Sequence, residues 1–320
     1  MHLITKQKQL IQLCLLLFML LPAACSKEGD VTEEEETPGR KHSPYLTRVF
    51  EYLPAPGQFV NKLPEYTKGD TPETMAKKAE EKIAGDKGGL ISLGGFGGYV
   101  IVGFDHTIDN VAGKADFTVL GNAYAGNSEP GIVMVSADVN QNGQPDDTWY
   151  ELAGSEYQNE KTLHNYTITY DRPDENKTPV PHASLTYVTD ATYIRWTTNG
   201  DDEGYLYKTV YHQQSYYPQW INNNQLQFSG TKLPDNHTMD NDLYTLYSYD
   251  WGYADNVPNN DARAQFDIDW AVDTNGKKAD LSGIDFVKIY TGVNQFNGRI
   301  GESSTEVSGV VDLQLLRAMK

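Results

Sequence analysis

The chain has 320 residues, of which 44 are acidic and 26 are Lys or Arg, giving a formal net charge of −18 at pH 7. Such an acidic surface repels nucleic acids and anionic lipid headgroups, because binding to phosphates depends on Lys and Arg. We therefore expect no nucleic-acid partner, and the length suits one large β domain or two small ones.

The first 24 residues have the pattern of a secretory signal peptide. Lys6 and Lys8 precede an apolar run over residues 13–21, which is shorter than the roughly 20 apolar residues that a transmembrane helix needs. Small residues and then Cys25 follow, and this order resembles the signal of bacterial lipoproteins, in which the cysteine carries the lipid. We predict a signal peptide over 1–24 and lipidation of Cys25. The alternative is ordinary cleavage with Cys25 unmodified.

Residues 25–45 are predicted to form an acidic flexible tether. The stretch contains four consecutive glutamates at 33–36 and too few apolar residues to fold. It resembles the start of lipoproteins that gut anaerobic Gram-negative bacteria send to the outer face of the cell. The resemblance implies an outer-membrane, cell-surface location with membrane contact through the lipid. The alternative is a solvated linker that carries no address.

The two cysteines of the chain are Cys14 and Cys25. The first lies in the predicted signal and the second is the predicted lipid site. The mature domain, residues 46–320, is therefore predicted to contain neither a disulfide nor a free thiol. It must be held together by its core and by any bound metal.

One helix is predicted near the start of this domain. Thr71 suits the N-cap, Pro72 suits the first helical position, and Gly85 ends the pattern. Thr74 stands where a capping box has Glu or Gln, so no capping box is expected.

The rest of the domain has the pattern of an all-β protein. Short apolar or alternating segments are separated by Gly, Asn and Asp, which is typical of a sandwich. The predicted strands cover 49–53, 90–93, 99–104, 116–120, 131–136, 149–152, 166–170, 193–196, 226–228, 264–268 and 284–290. The glycine-rich segment 94–98 lacks the Lys-Ser/Thr of a phosphate-binding loop and is predicted as a tight turn. We predict a jelly-roll-like β-sandwich with one short peripheral helix.

Residues 138–146, D-V-N-Q-N-G-Q-P-D, have the spacing of a calcium-binding loop. An EF-hand loop supplies side-chain oxygens at positions 1, 3 and 5, glycine at 6 and a backbone carbonyl at 7. The last position departs from that pattern, because it is Trp149 and not the bidentate Glu. We predict a structural calcium ion, and the alternative is a metal-free hairpin. The predicted ligands are Asp138, Asn140, Asn142, Gln144 through its carbonyl, Asp146 and Asp147.

The sequence contains few patterns that are typical of catalytic sites. The histidines have no metal-protease spacing, and there is no G-x-S-x-G motif. Clusters of acceptors at 255–261 and 273–276 are typical of turns. Abundant carboxylates leave a glycosidase pair open. We predict that the protein is not an enzyme, with a glycan-active enzyme as an alternative.

The aromatic residues are a second feature that points to ligand binding. The chain has 21 Tyr and 5 Trp, many of them in segments 205–220 and 244–253, interleaved with Asn and Gln. Exposed rings with amide neighbours suit a sugar face or a large planar ligand. The predicted ligand-binding residues are Tyr216, Tyr217, Trp220, Trp251 and Tyr253. The alternative is that these rings fill the core of the sandwich.

Four stretches together resemble one family: 50–61, 88–99, 116–122 with 129–131, and 284–291 with 301–302 and 305–307. They are similar to surface lipoproteins of gut anaerobic Gram-negative bacteria, some encoded beside outer-membrane receptors for vitamin B12. The likeness covers most of residues 46–315 and assigns no ligand residue. It implies capture of a corrinoid, or another scarce nutrient, for a TonB-dependent transporter. The alternatives are a calcium-dependent carbohydrate-binding protein and a structural or adhesive role.

Overall fold

A computed structural model of the protein describes residues 42–241 and 243–319. The predicted signal peptide, the lipid site at Cys25 and most of the predicted tether lie outside these residues. Just before the predicted start of the domain, Tyr45 forms a β-bridge with Val311. Leu46 is then fully buried in the core.

Strands dominate the described residues, which confirms the all-β prediction. The two α-helices are α1 (Pro72–Ile83) and α2 (Leu313–Ala318). The strands are β1 (Arg48–Leu53), β2 (Ile91–Ser92), β3 (Tyr99–Asp109), β4 (Phe117–Leu120), β5 (Gly131–Ser136), β6 (Tyr150–Leu152), β7 (Leu163–Asp171), β8 (Val188–Thr198), β9 (Glu203–Thr209), β10 (Gln225–Lys232), β11 (His237–Asp240), β12 (Leu243–Leu246), β13 (Gln265–Phe266), β14 (Ala271–Val272), β15 (Gly283–Thr291), β16 (Glu306–Val307) and β17 (Gly309–Asp312).

A six-stranded antiparallel sheet, in the order β1-β3-β15-β5-β6-β14, forms the centre of the fold. Val287 of β15 pairs with Val102 of β3 on one side and with Val135 of β5 on the other. Successive side chains of a strand point to opposite faces. Ile289 accordingly belongs to one hydrophobic core and Tyr290 to a second. The sheet is therefore buried on both faces.

Each face of the central sheet has its own cover. The four-stranded sheet β10-β7-β8-β9 lies over one face, where Ile168 and Phe228 join Tyr290 in a core rich in tyrosine. Helix α1 and the small sheet β13-β4-β17 cover the other face, where Met75 and Phe117 are fully buried. Two stacked sheets with a helix on the outside agree with the predicted sandwich.

Helix α1 confirms the predicted helix and corrects one detail of its start. The Thr71 hydroxyl accepts a hydrogen bond from Thr74 N, and the Thr74 hydroxyl accepts one from Thr71 N at 2.8 Å. A capping box is thus present, because the threonine hydroxyl can accept the bond that Glu or Gln usually takes. Gly85 follows the helix with φ of +72°. Helix α2 was not predicted, and the Asp312 carboxylate caps it.

The glycine-rich segment 94–98 is the turn that the sequence predicts between β2 and β3. A Cβ on Gly98 would lie 1.9 Å from the Leu93 carbonyl oxygen, so only glycine fits there. Gly94 N donates to Ser304 Oγ at 3.1 Å. The tight turn therefore lies directly against the segment that carries Glu302 and Glu306.

Candidate functional site

A cleft of about 640 Å³ opens between several loops of the domain, and we call it the acidic cleft. Its walls come from loops that follow β1, β4 and β9 and from the segment before β16. The lining residues are Gln58, Phe59, Leu63, Leu90, Asn122, Asn127, Glu129, Tyr211, His212, Arg299, Ile300, Glu302, Ser304 and Glu306.

Three carboxylates meet at the floor of the acidic cleft: Glu129 and Glu306 line it, and Asp255 lies next to them. One oxygen from each of Glu129, Asp255 and Glu306 lies within 4.8 Å of the others, and each of these residues is less than one-tenth exposed. Backbone amides fix their positions. Glu129 Oε1 accepts from Ser304 N at 2.9 Å, and Asp255 Oδ2 accepts from Glu306 N at 3.0 Å.

The floor gathers several carboxyl groups that are largely buried. Burial, together with the charges of Glu129 and Asp255, raises the pKa of Glu306 well above its ordinary value. Burial, with the charge of Asp255, also raises the pKa of Glu129, and burial raises that of Glu302 to about 7. None of the ion pairs found in residues 42–241 and 243–319 involves these carboxylates. Their charge must therefore be offset by protons, by a cation or by donors on a ligand.

The rim of the acidic cleft is aromatic and carries one cation. Arg299 Nη1 donates to the Tyr211 hydroxyl at 2.7 Å, and its guanidinium lies 4.9 Å from the centre of the Tyr187 ring. His212 contacts Phe59 edge-to-face, with ring centres 4.8 Å apart. Burial lowers the pKa of His212, which favours the neutral imidazole. The rim can thus offer ring surfaces, one guanidinium and the amides of nearby Asn and Gln.

The four stretches that carry the family resemblance meet at this cleft. Gln58 comes from the first stretch, Leu90 from the second, Glu129 from the third, and Glu302 and Glu306 from the fourth. The sequence did not mark these residues as a site, because each looks like an ordinary loop residue. The one sequence feature that these residues have in common is that each lies in a stretch of the resemblance, and those stretches are far apart in the chain.

The predicted aromatic ligand surface is corrected by the structure. Four of its five residues are core residues with at most 5% of their surface exposed: Tyr216, Tyr217, Trp220 and Tyr253. The Tyr217 hydroxyl, for example, donates to Asn223 O at 2.8 Å within the protein. Trp251 is the exception, with 38% exposure and its ring 4.5 Å from that of Trp270. The buried four fill the core, which is the alternative that the sequence left open.

The predicted calcium loop lies between β5 and β6, both of them strands as expected. The Asp138 carboxylate accepts bonds from Asn142 N at 3.0 Å and from Gly143 N at 2.8 Å. The side-chain amides of Asn140 and Asn142 each donate to Asp146 at 3.0 Å. The loop therefore curls so that Asp138, both amides and Asp146 lie close together. To hold a cation, the two amides would have to turn their oxygens inward.

Two other predicted calcium ligands have different partners in this loop. Gln144 N donates to Asn142 Oδ1 at 2.7 Å, which tightens the turn after Gly143. Asp147 Oδ2 accepts from Val139 N at 3.1 Å and so ties the two ends of the loop together. These contacts shape the loop, and bound calcium remains a prediction.

A second cleft of about 450 Å³ begins immediately after this loop, and we call it the Trp149 cleft. Trp149 and Tyr157 line it, with the Tyr157 ring 4.6 Å from that of His164. Thr231 Oγ1 donates to Glu151 Oε2 at 2.6 Å. Burial raises the pKa of Glu151 to about 7. Rings, a carboxyl and several amides thus surround one opening.

Comparison of the chain with protein-family models and with curated proteins gave no match. The family resemblance therefore stays a prediction. Within the described residues, the helices are too short and too polar for any of them to cross a bilayer.

Proposed function

We propose that this protein captures a small nutrient at the outer surface of the cell, a cobamide in the first instance, for a TonB-dependent transporter. The observation that supports this role is the acidic cleft, where all four stretches of the family resemblance come together. Lipid at Cys25 would hold the domain at the membrane, and the tether would let it reach a transporter.

The chemistry of the acidic cleft suits an amide-rich organic ligand. A cobamide carries amide side chains around a large ring and one phosphate in its nucleotide loop. Ligand amides can donate to Glu129 and Glu302, while Gln58 and Asn122 can both donate and accept. Arg299 at the rim suits a phosphate, because guanidinium groups bind phosphate oxygens through paired hydrogen bonds. Such a ligand is larger than the cleft, so one edge of it would enter.

Calorimetric titration of the purified protein with cyanocobalamin tests the proposal. We expect saturable binding at micromolar affinity or tighter. Tyr211→Ala and Arg299→Ala should each weaken it about tenfold or more, which corresponds to about 1.4 kcal/mol. Matched controls are Tyr205→Ala and Arg195→Ala, which remove an exposed tyrosine and an exposed arginine of the β8–β9 hairpin.

The control variants should bind as the wild type does. Absence of heat at high protein concentration would overturn cobamide capture. Equal affinities in the rim variants and in the wild type would place the ligand outside the acidic cleft.

One observation favours a second candidate, a calcium-dependent carbohydrate-binding protein. The Trp149 cleft places the rings of Trp149 and Tyr157, with several hydrogen-bonding groups, directly beside the predicted calcium loop. Aromatic faces with polar neighbours suit sugar rings. Binding to neutral polysaccharides that is lost in Trp149→Ala and in the presence of chelator, without any response to cyanocobalamin, would favour this function.

A further inference from the structure

We propose that His42, Asp105 and His106 form a binding site for a first-row divalent transition ion of the zinc type, with Asp312 as a positioning residue. The site is independent of the proposed nutrient capture and of the predicted calcium loop. Histidine nitrogens suit zinc and its neighbours in the series, whereas calcium takes oxygen ligands.

Two of the three separations between the ligand atoms are already close to those that such an ion requires. His42 Nδ1 is 3.4 Å from Asp105 Oδ1, and His106 Nδ1 is 3.0 Å from the same oxygen. One ligand atom from each residue lies within 4.8 Å of the others. Tetrahedral zinc with bonds of about 2.0–2.1 Å places its ligand atoms about 3.3 Å apart. The two closest contacts match that spacing, so small side-chain rotations would admit the ion.

Asp312 fixes the orientation of His106. Its Oδ2 lies 2.9 Å from His106 Nε2, and only 4% of its side chain is exposed. Its Oδ1 accepts bonds from Gln314 N at 2.6 Å and Leu315 N at 3.1 Å, as the cap of α2. Metal-binding histidines usually donate their second N–H to a carboxylate in this manner. With the proton on Nε2, the Nδ1 lone pair of His106 faces Asp105 and His42.

The arrangement leaves room for a further ligand. The His42 side chain is 48% exposed, whereas that of His106 is only 10% exposed. Two histidines and one carboxylate supply three ligands, and water or a ligand atom would complete the coordination. His42 lies ahead of β1, whereas Asp105 and His106 lie on β3. A bound ion would therefore tie the segment that leads into the domain to the central sheet.

Titration of the metal-free protein with Zn²⁺ in the presence of excess Ca²⁺ tests the site. We expect one Zn²⁺ per chain at micromolar affinity or tighter, and a visible absorption spectrum of tetrahedral type when Co²⁺ replaces it. His42→Ala and His106→Ala should each lower the affinity at least 100-fold. Asp312→Asn keeps an acceptor for the α2 cap but loses the anionic partner of His106, so it should lower affinity 10- to 100-fold.

His182→Asn is the matched control, because this histidine sits in a turn between β7 and β8 and accepts bonds from Ser184 N and Leu185 N. It should bind Zn²⁺ as the wild type does. A second readout is thermal stability: Zn²⁺ should raise the melting temperature of the wild type but not that of His42→Ala, since a ligand of the folded state stabilises it. Failure to saturate with Zn²⁺, or wild-type affinity in both histidine variants, would overturn the site. Wild-type affinity in Asp312→Asn alone would overturn its positioning role.

Discussion

Tyr217 shows why aromatic residues that the sequence analysis assigned to an exposed ligand site lie in the core of the structure. It is 1% exposed, its hydroxyl donates to Asn223 O, and the Arg172 guanidinium lies 4.5 Å from the centre of its ring. A tyrosine with a satisfied hydroxyl can be buried, although its neighbours in sequence are polar. Composition alone therefore does not separate a core tyrosine from a ligand-binding one.

The core role of Tyr217 predicts a stability effect without a binding effect. Tyr217→Ala should lower the free energy of unfolding by about 3–5 kcal/mol, as loss of a large buried ring does. Tyr217→Phe should cost about 1 kcal/mol, because it removes only the hydrogen bond to Asn223. Urea denaturation measures both, with Trp251→Ala as the control for a partly exposed ring. A tenfold loss of ligand affinity in Tyr217→Phe at unchanged stability would instead indicate direct contact with a ligand.

At the level of secondary-structure elements, the sequence predicted those features that depend on contacts between residues close together in the chain. Thr71 caps the start of α1, and Gly85, with its left-handed backbone, follows the end of the helix. Both features depend on residues within one helical turn, so a local sequence pattern can predict them. Strand β5 has the predicted limits for a similar reason, since its apolar run is bounded by turn residues. The pairing of β15 with both β3 and β5 joins strands far apart in sequence. No local pattern encodes which strands become neighbours, so the sheet order could not be predicted.

For the loop between β5 and β6, we predict a response to calcium. Ca²⁺ should raise the melting temperature of the wild type by several degrees, because a ligand at 100 times its dissociation constant stabilises by about 2.7 kcal/mol. Asp138→Ala should abolish this gain. It should also lower stability by about 1 kcal/mol in chelator, since Asp138 accepts bonds from Asn142 N and Gly143 N.

Asp273→Ala is the matched control for that loop. Asp273 likewise accepts two backbone N–H bonds, from Asn275 and Lys277, in a tight turn between β14 and β15. This variant should lose stability in chelator but keep the gain from Ca²⁺. Equal melting temperatures of the wild type with Ca²⁺ and with chelator would contradict a calcium site at 138–147.

For the whole molecule, the acidic floor of the cleft is a product of tertiary structure. Glu129 precedes β5, Asp255 lies in a loop, and Glu306 begins β16. In the sequence these are three acids among 44, and acids are mostly exposed. Tertiary packing brings these distant residues together and buries them. The His42 and Asp105 pair was missed for the same reason, because its members are distant in the chain.

The buried carboxyls predict how stability depends on pH. Burial raises the pKa of Glu302 from its ordinary 4.5 to about 7, and it raises those of Glu129 and Glu306 as well. Between about pH 4.5 and 7 the folded state therefore binds more protons than the unfolded state. Stability is then fully present below this window and is lost as pH rises through it. In chelator, the melting temperature should fall by several degrees from pH 5 to pH 8.

Other titrating groups do not reverse this expectation. The Arg263 guanidinium lowers the pKa of Asp261 to about 2, so that carboxylate titrates well below the window. Burial lowers the pKa of His212, so this group makes stability rise with pH. It is a single group, however, and several buried carboxyls have the opposite effect. The balance therefore favours loss of stability with rising pH.

Glu302→Gln isolates the contribution of one carboxyl. Glutamine keeps an acceptor for Gln58 N, which donates to Glu302 Oε1 at 2.6 Å, but it cannot ionise. The variant should lose less stability between pH 5 and pH 8 than the wild type does. Glu203→Gln, which alters an exposed partner of Arg195, should leave the wild-type slope unchanged. Stability that rises from pH 5 to pH 8, or a wild-type slope in Glu302→Gln, would show that these carboxyls ionise without cost. In that case a bound cation or a different arrangement of donors must stabilise their charge.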